Sequence, residues 1–333
     1  MVANFQSLLI GSLPFQSSEE ALEVVFRYCK SSPSWPQLPK ASVNESMLVQ
    51  YLEGIPGWEY SNGEIRFLEP DEIQNLEHIL DAIENEQLEY FKISKIYSLT
   101  YHKFLDKLKN LNPNIIKGQV IGPITFLTSY RKKNGKLLIS DDFYREVIPT
   151  IIKLKAQSQA KDFTEVCPMA DKIIFFDEPI LSQIGSAVLN LKKDDIKSIY
   201  NNVLSGKKGY FGGIHICGNS EWDFIMSLPF DIINFDAYSF SEQFFLYRND
   251  IKRYVEEGGF LAFGVVPTEE DIINKVSLLE VEVKKNYILK ELSGVVNNNI
   301  ISERVFFTPS CGMGVLTAPN AIKVLEILNS ISN

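Results

Sequence analysis

The 333-residue chain has few cysteines and histidines, four and three respectively. Four cysteines in a chain of this size do not form the framework of a disulfide-rich secreted protein. The first ten residues lack the charged start and the long apolar core of a signal peptide. Apolar runs such as 260–266 are far shorter than the roughly 20 residues needed to span a bilayer. These absences predict a cytoplasmic protein without a membrane span.

The chain also lacks an excess of positive charge. Its 33 Lys and Arg are outnumbered by 42 Asp and Glu, which gives a net charge of −9. This balance argues against a nucleic-acid backbone as the partner. A hydrophobic content of 45% and a charged content of 23% are ordinary for a folded globular protein. A small molecule is therefore the expected partner, and charge alone does not specify its class.

Short apolar runs alternate with helical patterns along most of the chain. Six of these runs predict strands, at 114–121, 171–176, 209–216, 231–236, 259–265 and 304–309. The run 5–12 predicts a further strand, and 35–38 predicts a short irregular one, which makes eight. Near-continuous apolar strands separated by helices indicate parallel strands covered on the outside. The prediction is an α/β fold, a single (β/α)8 TIM barrel over residues 1–333 with an N-terminal helical insertion at about 41–112.

Helical patterns fill the intervals between the predicted strands. They predict helices at 18–30, 143–166, 192–204, 240–256, 277–293 and 318–331. Ser17 or Ser18 is the expected N-cap of the first helix, with two acids in its first turn. Within the insertion, helices are predicted at 71–83 and 86–110.

Soft metal ligands are placed at predicted strand ends, where the active sites of such barrels lie. His215 and Cys217 are two residues apart, so they point the same way from one strand. Cys311 follows the last strand, and Asp236 ends the strand between them. Thiolate, imidazole and carboxylate are the ligands of zinc, and a catalytic zinc keeps one position exchangeable. The pattern predicts a zinc site with Asp236 as a displaceable ligand.

A simpler interpretation treats these residues as core. Cys217 and Cys311 would be small buried side chains, and His215 a core histidine with satisfied hydrogen bonds. Cys29 and Cys167 have no strand-end context. For both of them, the core interpretation is preferred.

Five short motifs carry a resemblance to a known family. They are IGSLP at 10–14, FDEP at 176–179, HICGN at 215–219, FDAY at 235–238 and PSCG at 309–312. Together they resemble the C-terminal catalytic barrel of the cobalamin-independent methionine synthases. They are similar also to the zinc methyltransferases of methanogens that act on coenzyme M, in a superfamily that includes uroporphyrinogen decarboxylase. The resemblance covers essentially the whole chain and is strongest over 114–333.

The resemblance implies a metal site. It assigns zinc to a His-x-Cys pair, a later carboxylate and a last-strand Cys, which match His215, Cys217, Asp236 and Cys311. The family's carboxylate is usually Glu, so Asp236 is a departure, with a side chain one methylene shorter.

The resemblance also implies a site for an amino-acid acceptor. One turn of this chain, formed by Ile10, Gly11 and Ser12, matches the family segment that holds the acceptor's carboxylate. Asp177 matches the acid that binds the amino group. A second amino-binding Glu is expected near 35–45, where Gln37 is one candidate.

Two absences bear on the methyl donor. The full-length methionine synthases carry an additional N-terminal barrel half used with a polyglutamylated methyltetrahydrofolate, and this chain is expected to begin at the catalytic barrel. The family also has a histidine after the strand equivalent to 259–265, which protonates the folate leaving group. Here 263–270 has no histidine, and Glu269 matches only weakly. Because cob(I)alamin leaves without a proton, methylcobalamin or a corrinoid protein is the expected donor.

The chain has no Asp-x-His-x-x-Gly motif of the kind used by cobalamin-binding modules. A corrinoid is therefore expected to arrive free or on a separate protein. The predicted function is zinc-dependent methylation of a thiol, with homocysteine as the favoured acceptor and methionine as the product. The thiolate is the nucleophile, and no protein general acid is identified.

Three alternatives stay open. In the first, the methyl acceptor is coenzyme M or another small thiol. The second is a metal-free decarboxylase of the uroporphyrinogen type, although the strand-end segment 11–16 has none of the arginines that bind several substrate carboxylates. The third is a non-enzymatic zinc-binding subunit that regulates a partner.

Overall fold

The computed structural model describes residues 1–61, 63–186, 189 and 191–332. Its strands, in chain order, are β1 (Trp58–Ser61), β2 (Glu64–Phe67), β3 (Ile115–Ile121), β4 (Arg131–Lys132), β5 (Asp171–Asp177), β6 (Phe211–Ile216), β7 (Ile232–Phe235), β8 (Phe260–Val266) and β9 (Val305–Pro309). Six of them form one parallel sheet in the order β3-β5-β6-β7-β8-β9. The six apolar strands predicted after residue 114 are confirmed. An α/β architecture with a curled parallel sheet and covering helices is consistent with a TIM-like fold.

The strand predicted at 5–12 and the short irregular strand predicted at 35–38 are present only as isolated parallel bridges and not as regular strands. Ser7 bridges to Phe307 of β9, Ser34 bridges to Lys117 of β3, and the bridge from Ser12 to Gln37 joins the two segments to each other. Proline explains part of the interruption, because Pro33 and Pro36 have no N–H to donate to a ladder. The amide of Leu9 donates instead to the Ser34 hydroxyl at 3.4 Å. The described residues thus form a curled sheet of six strands flanked by two bridged segments.

Helices cover the strands. They are α1 (Ser18–Tyr28), α2 (Met47–Gln50), α3 (Leu76–Glu84), α4 (Leu99–Leu108), α5 (Pro123–Ser129), α6 (Asp142–Val166), α7 (Lys193–Leu204), α8 (Trp222–Ile225), α9 (Ala237–Phe244), α10 (Arg248–Glu256), α11 (Glu270–Ile273), α12 (Leu278–Ser293), α13 (Asn298–Arg304) and α14 (Ala318–Ile331). Ser17 caps α1 by accepting a hydrogen bond from the Glu20 amide, as expected. The helix predicted at 240–256 is divided into α9 and α10 by a 3-10 turn at Phe245–Tyr247.

The insertion at 41–112 is less helical than predicted. It contains the antiparallel hairpin of β1 and β2, which β4 extends to three strands. The helix predicted at 86–110 is broken, and only α4 remains as an α-helix, because the Ser98 hydroxyl accepts from the Tyr101 amide and so starts a new helix there. The helix predicted at 71–83 begins later, after Asn75 in the left-handed conformation.

The buried apolar residues form two clusters on opposite faces of the parallel sheet. The larger cluster packs the sheet against its helices and contains Cys29 and Cys167, as expected for core cysteines. The smaller cluster lies on the inner face and consists of Ala3, Leu8, Ile10, Ile115, Ile173, Phe175, Ile232, Phe260, Ala262 and Phe306. Since side chains alternate between the faces of a strand, the next inward positions toward the carboxyl ends carry the site. Among the described residues, no helix is long and apolar enough to cross a membrane.

Candidate functional site

A cavity of about 700 Å³ lies at the carboxyl ends of the strands. Eight of the nine residues predicted for the metal and acceptor sites line it: Ile10, Gly11, Ser12, Gln37, Asp177, His215, Cys217 and Cys311. The ninth, Asp236, lies beside the cavity and does not line it. The remaining wall comes mainly from the insertion and from the loop after β9, including Pro39, Met47 and Val315. The cavity therefore has a polar end at the strand termini and a more apolar rim.

Strand register brings the polar residues together. Asp177 on β5 is directly opposite His215 on β6, which is opposite Asn234 on β7. Cys217 follows two positions after His215 and so lies on the same side, just beyond the end of β6. This arrangement follows from the parallel register, which the sequence alone does not reveal.

His215 is fixed in one tautomer by its neighbours. The Asn234 amide nitrogen donates to the Ala262 carbonyl and to Thr308 Oγ1, both at 2.8 Å. Its Oδ1 must then accept, and it lies 2.5 Å from His215 Nδ1, which carries the proton. His215 Nε2 consequently carries no proton and presents a lone pair.

The free nitrogen of His215 has no hydrogen-bond partner. Nε2 is buried and unpaired, while the residue itself lines the cavity and is 3% exposed. Burial lowers the pKa of His215 to about 4, so the ring is neutral at physiological pH. A neutral imidazole whose other nitrogen is held by a hydrogen bond is the usual state of a metal-ligating histidine.

Cys217 and Cys311 contact each other through their thiols. The hydrogen bond from Cys311 lowers the pKa of Cys217 to about 7, and the same contact raises the pKa of Cys311. Neither cysteine is in a disulfide, and Cys217 is exposed to the cavity. Cys217 is therefore the thiol of the pair that loses its proton more readily, and the thiolate is the form that binds a metal.

Asp236 serves as a helix cap. Its Oδ1 accepts from the Ser239 amide at 3.0 Å, at the start of α9. Burial raises its pKa, and the nearby charge of Glu269 adds to the effect. Asp236 is close enough to Cys217 for its charge to act on that thiol. Its position is compatible with a ligand, although one of its two carboxylate oxygens already accepts the cap hydrogen bond.

Asp177 presents an unpaired oxygen at the cavity. Its Oδ1 is buried without a hydrogen-bond partner. Burial raises the pKa of Asp177, and the charge of Lys117 partly opposes that rise. Its neighbour Glu178 has a different role, because that carboxylate accepts from the Ile124 and Thr125 amides at 2.9 and 2.8 Å. Of the two acids in this motif, only Asp177 is available to a ligand.

The acceptor end of the cavity is built by hydrogen bonds between segments. Ser12 Oγ accepts from the Gly314 amide at 3.1 Å, so its own proton is free to be donated. Gln50 Nε2 donates to the Tyr97 carbonyl, and Gln50 Oε1 therefore accepts from Gln37 Nε2 at 2.7 Å. This fixes the Gln37 amide, leaving its Oε1 as an acceptor near Gly11.

Glu45 is a cavity residue that sequence reasoning missed. It falls at the end of the 35–45 stretch in which a second amino-binding Glu was expected. Its carboxylate is already used, accepting from the Leu38 amide at 2.9 Å and from Thr100 Oγ1 at 3.1 Å. Glu45 thus holds the wall of the cavity rather than offering a free acceptor.

Lys117 and Asn234 were also missed by sequence reasoning. For both, the one available signal was a polar residue inside an apolar strand.

The metal-binding prediction rests on the chemistry of these donors. Across the described ranges, no group of three or more His, Cys, Asp or Glu side chains is arranged so that it could hold a metal ion as it stands. The donor types of three cavity residues are those that zinc prefers, namely the unpaired Nε2 of His215 and the two contacting thiols of Cys217 and Cys311. One imidazole and two thiolates leave a fourth position for a carboxylate or a substrate.

No family model and no curated protein matches the chain. Its fold is similar to that of a B12-independent methionine synthase from Shewanella sp. W3-18-1 in complex with selenomethionine, with a TM-score of 0.56 and 14% identity over 99% of this chain and 98% of that chain. It is also similar to a methyltransferase from Methanosarcina mazei, with a TM-score of 0.55 and 11% identity over 98% of this chain and 94% of that chain. At these identities the likeness establishes a common fold.

Proposed function

We propose that this chain is a zinc-dependent methyltransferase that methylates a thiol, with homocysteine as the favoured acceptor and a methylcorrinoid as the donor. The observation that carries the proposal is that His215, whose Nε2 has no hydrogen-bond partner, lines the same cavity as Cys217 and Cys311, whose thiols contact each other. The fold shared with a methionine synthase and a methyltransferase supports it. The proposal also takes the two bridged segments at 5–12 and 35–38 as the missing strands of an eight-stranded barrel.

The proposed zinc ligands are His215, Cys217, Cys311 and, as the displaceable fourth, Asp236. When bound, zinc lowers the pKa of a coordinated thiol, so that the acceptor is held as a thiolate near neutral pH. Asn234 keeps the His215 lone pair directed at this position. The cap hydrogen bond to Ser239 would limit how far Asp236 moves toward or away from the proposed metal position.

The other end of the cavity suits an α-amino acid. Asp177 and Gln37 offer oxygen acceptors for the ammonium group. Ser12 has a free hydroxyl proton for the carboxylate. An amino-acid thiol bound in this way has its sulfur directed toward the His215 and cysteine end, and such positioning supplies much of the rate of a bimolecular transfer.

The positions of the three histidines are compatible with a corrinoid as the methyl donor. Of the three histidines, only His215 lines the cavity; His78 contacts the Tyr90 ring and His102 contacts the Ile93 carbonyl. No second histidine is therefore at hand to protonate a folate leaving group. With methylcobalamin, the acceptor sulfur forms the C–S bond while cob(I)alamin leaves with the electron pair of the carbon–cobalt bond. This step needs no proton donor.

The direct test is methyl transfer by the purified chain. Zinc-loaded protein is mixed with methylcobalamin and homocysteine, and the loss of methylcobalamin absorbance and the formation of methionine are followed. We expect homocysteine-dependent demethylation that Cys311→Ser abolishes. Coenzyme M and methyltetrahydrofolate are run in parallel. Faster turnover with coenzyme M would replace homocysteine as the proposed acceptor, and faster turnover with methyltetrahydrofolate would replace the methylcorrinoid as the proposed donor.

The remaining outcomes separate the alternatives. Zinc binding without turnover on any of these substrates contradicts the enzyme and favours a zinc-binding partner subunit. Decarboxylation of uroporphyrinogen by metal-free protein would favour the decarboxylase. Cys29→Ser is the matched control, since Cys29 is buried in the core away from the cavity.

A further inference from the structure

Lys117 is a charged residue in the middle of an apolar strand. It lies on β3 and its side chain is fully buried, at 0% exposure. A buried ammonium group is costly unless it is paired and hydrogen-bonded. Lys117 does not itself line the cavity, so direct contact with a substrate does not account for it.

The ammonium group of Lys117 is tied to the acceptor-binding turn. Nζ donates to the carbonyl of Ile10, the residue directly before Gly11 and Ser12. It also donates to Gln119 Oε1 at 3.1 Å and lies 4.7 Å from the centre of the Phe175 ring. These contacts hold the start of the turn against the inner face of the sheet.

Gln119 extends the same connection to the neighbouring segment. Its Nε2 donates to the Trp35 carbonyl at 3.1 Å, which leaves Oε1 as the acceptor for Lys117. Its side chain packs so closely on Gly11 that an added Cβ there would lie 3.2 Å from Gln119 Cδ. Lys117 therefore links both bridged segments, the one with Gly11 and Ser12 and the one with Gln37.

Lys117 also acts electrostatically on Asp177, whose Oδ1 has no hydrogen-bond partner of its own. Burial lowers the pKa of Lys117 to about 7, and the charge of Asp177 opposes that fall.

We propose that Lys117 is a positioning residue of the acceptor pocket, which fixes the Gly11–Ser12 turn through the Ile10 carbonyl and the segment that carries Gln37 through Gln119. The proposal rests on the proposed function, because it assigns to Lys117 the orientation of the amino-acid end of the acceptor. It is distinct from metal binding, since the ligands lie on β6, on the loop after β9 and at the start of α9.

The test compares Lys117→Met with Lys155→Met in the full chain. Lys155, on α6, is an equally buried lysine outside the cavity, with Glu53 as its nearby charge. In Lys117→Met we expect unchanged zinc content and a KM for homocysteine raised about 10-fold to 100-fold, with kcat changed far less. The preference for homocysteine over 4-mercaptobutanoate, which lacks the amino group, should fall in the same variant. Lys155→Met should retain both the KM and the preference.

Amide hydrogen exchange over residues 11–13 gives a second readout that needs no activity. Exchange should be faster in Lys117→Met and unchanged in Lys155→Met. If Lys117→Met does not fold, Lys117→Met/Asp177→Asn removes both buried charges and should still exchange faster at the turn.

The two proposals fail in different ways. A wild-type chain that transfers no methyl group contradicts the proposed function, and the exchange measurement still decides whether Lys117 fixes the turn. A wild-type chain that turns over, together with a Lys117→Met variant of normal KM, normal acceptor preference and normal exchange, overturns the role of Lys117.

Discussion

The imidazole of His215 is held by hydrogen bonds that run across four neighbouring strands. From β6 the chain of contacts passes to Asn234 on β7, and from there to Ala262 on β8 and Thr308 on β9. Each partner has one orientation that satisfies its neighbours, so the lone pair of Nε2 is left over at the cavity. Asn234, which looks like an ordinary strand residue in the sequence, thereby orients the histidine.

Replacing Asn234 tests this orientation. Asn234→Leu removes the acceptor for His215 Nδ1, and we expect zinc affinity to fall about 10-fold to 100-fold because the ring is no longer held. Competition with a chromophoric chelator measures the affinity. Tyr101→Phe, which removes a buried hydrogen bond to Asp162 away from the cavity, should leave it unchanged. Equal zinc affinity in Asn234→Leu and wild type would show that the ring needs no such support.

Substitution separates the capping role of Asp236 from its proposed role as a zinc ligand. Asparagine caps helices as well as aspartate does but is a poorer zinc ligand. We therefore expect Asp236→Asn to retain the stability of the chain and to lower zinc affinity about 10-fold. Asp236→Ala should in addition lose about 1 kcal/mol of unfolding free energy, measured by urea denaturation. Normal zinc affinity in both variants would leave Asp236 with the capping role alone.

Among the elements, the turn from β3 to α5 is organised by one acid from the next strand. Glu178 accepts from the Ile124 and Thr125 amides and from the Thr125 and Tyr200 hydroxyls. A Cβ at Gly122 would lie 2.0 Å from Glu178 Cδ, so glycine is required for this close approach. Of the two acids in the motif at 176–179, Asp177 thus lines the cavity and Glu178 stabilises the fold.

Removing the Glu178 carboxylate should destabilise the chain strongly. Glu178→Ala leaves several buried donors unpaired, and we expect a loss of about 3–5 kcal/mol in urea unfolding. Tyr200→Phe removes only one of the bonds and should lose about 1 kcal/mol. A loss below about 1 kcal/mol in Glu178→Ala would mean that water or other side chains replace the carboxylate.

The six central strands were predictable because strands buried on both faces read as continuous apolar runs. The hairpin of β1 and β2 was missed, although the sequence signals it through apolar and polar residues that alternate at 58–61 and at 64–67 around an Asn-Gly dipeptide. The segments at 5–12 and 35–38 have strand-like composition, but bridges and side-chain hydrogen bonds replace their ladders. Local pattern predicts an element well where burial is uniform and poorly where pairing is irregular.

For the molecule as a whole, the cavity depends on contacts between parts of the chain that are far apart in sequence. Ser12 contacts Gly314, and Lys40 donates to the Leu316 carbonyl at 2.6 Å, so the first and last segments close over the same opening. The scarcity of His and Cys and their strand-end positions were enough to predict that His215 and the two cysteines line one cavity. The supporting roles of Lys117 and Asn234 depend on cross-strand register, and a single sequence carries no direct record of it.

The central claim is that this end of the cavity binds zinc through His215, Cys217 and Cys311. Elemental analysis of the purified chain and of four single Cys→Ser variants tests it most directly. We predict about one zinc ion per chain in the wild type and in the Cys29 and Cys167 variants, and a loss of most of it in the Cys217 and Cys311 variants. A wild-type chain without zinc, or Cys217 and Cys311 variants that keep it, would contradict the account.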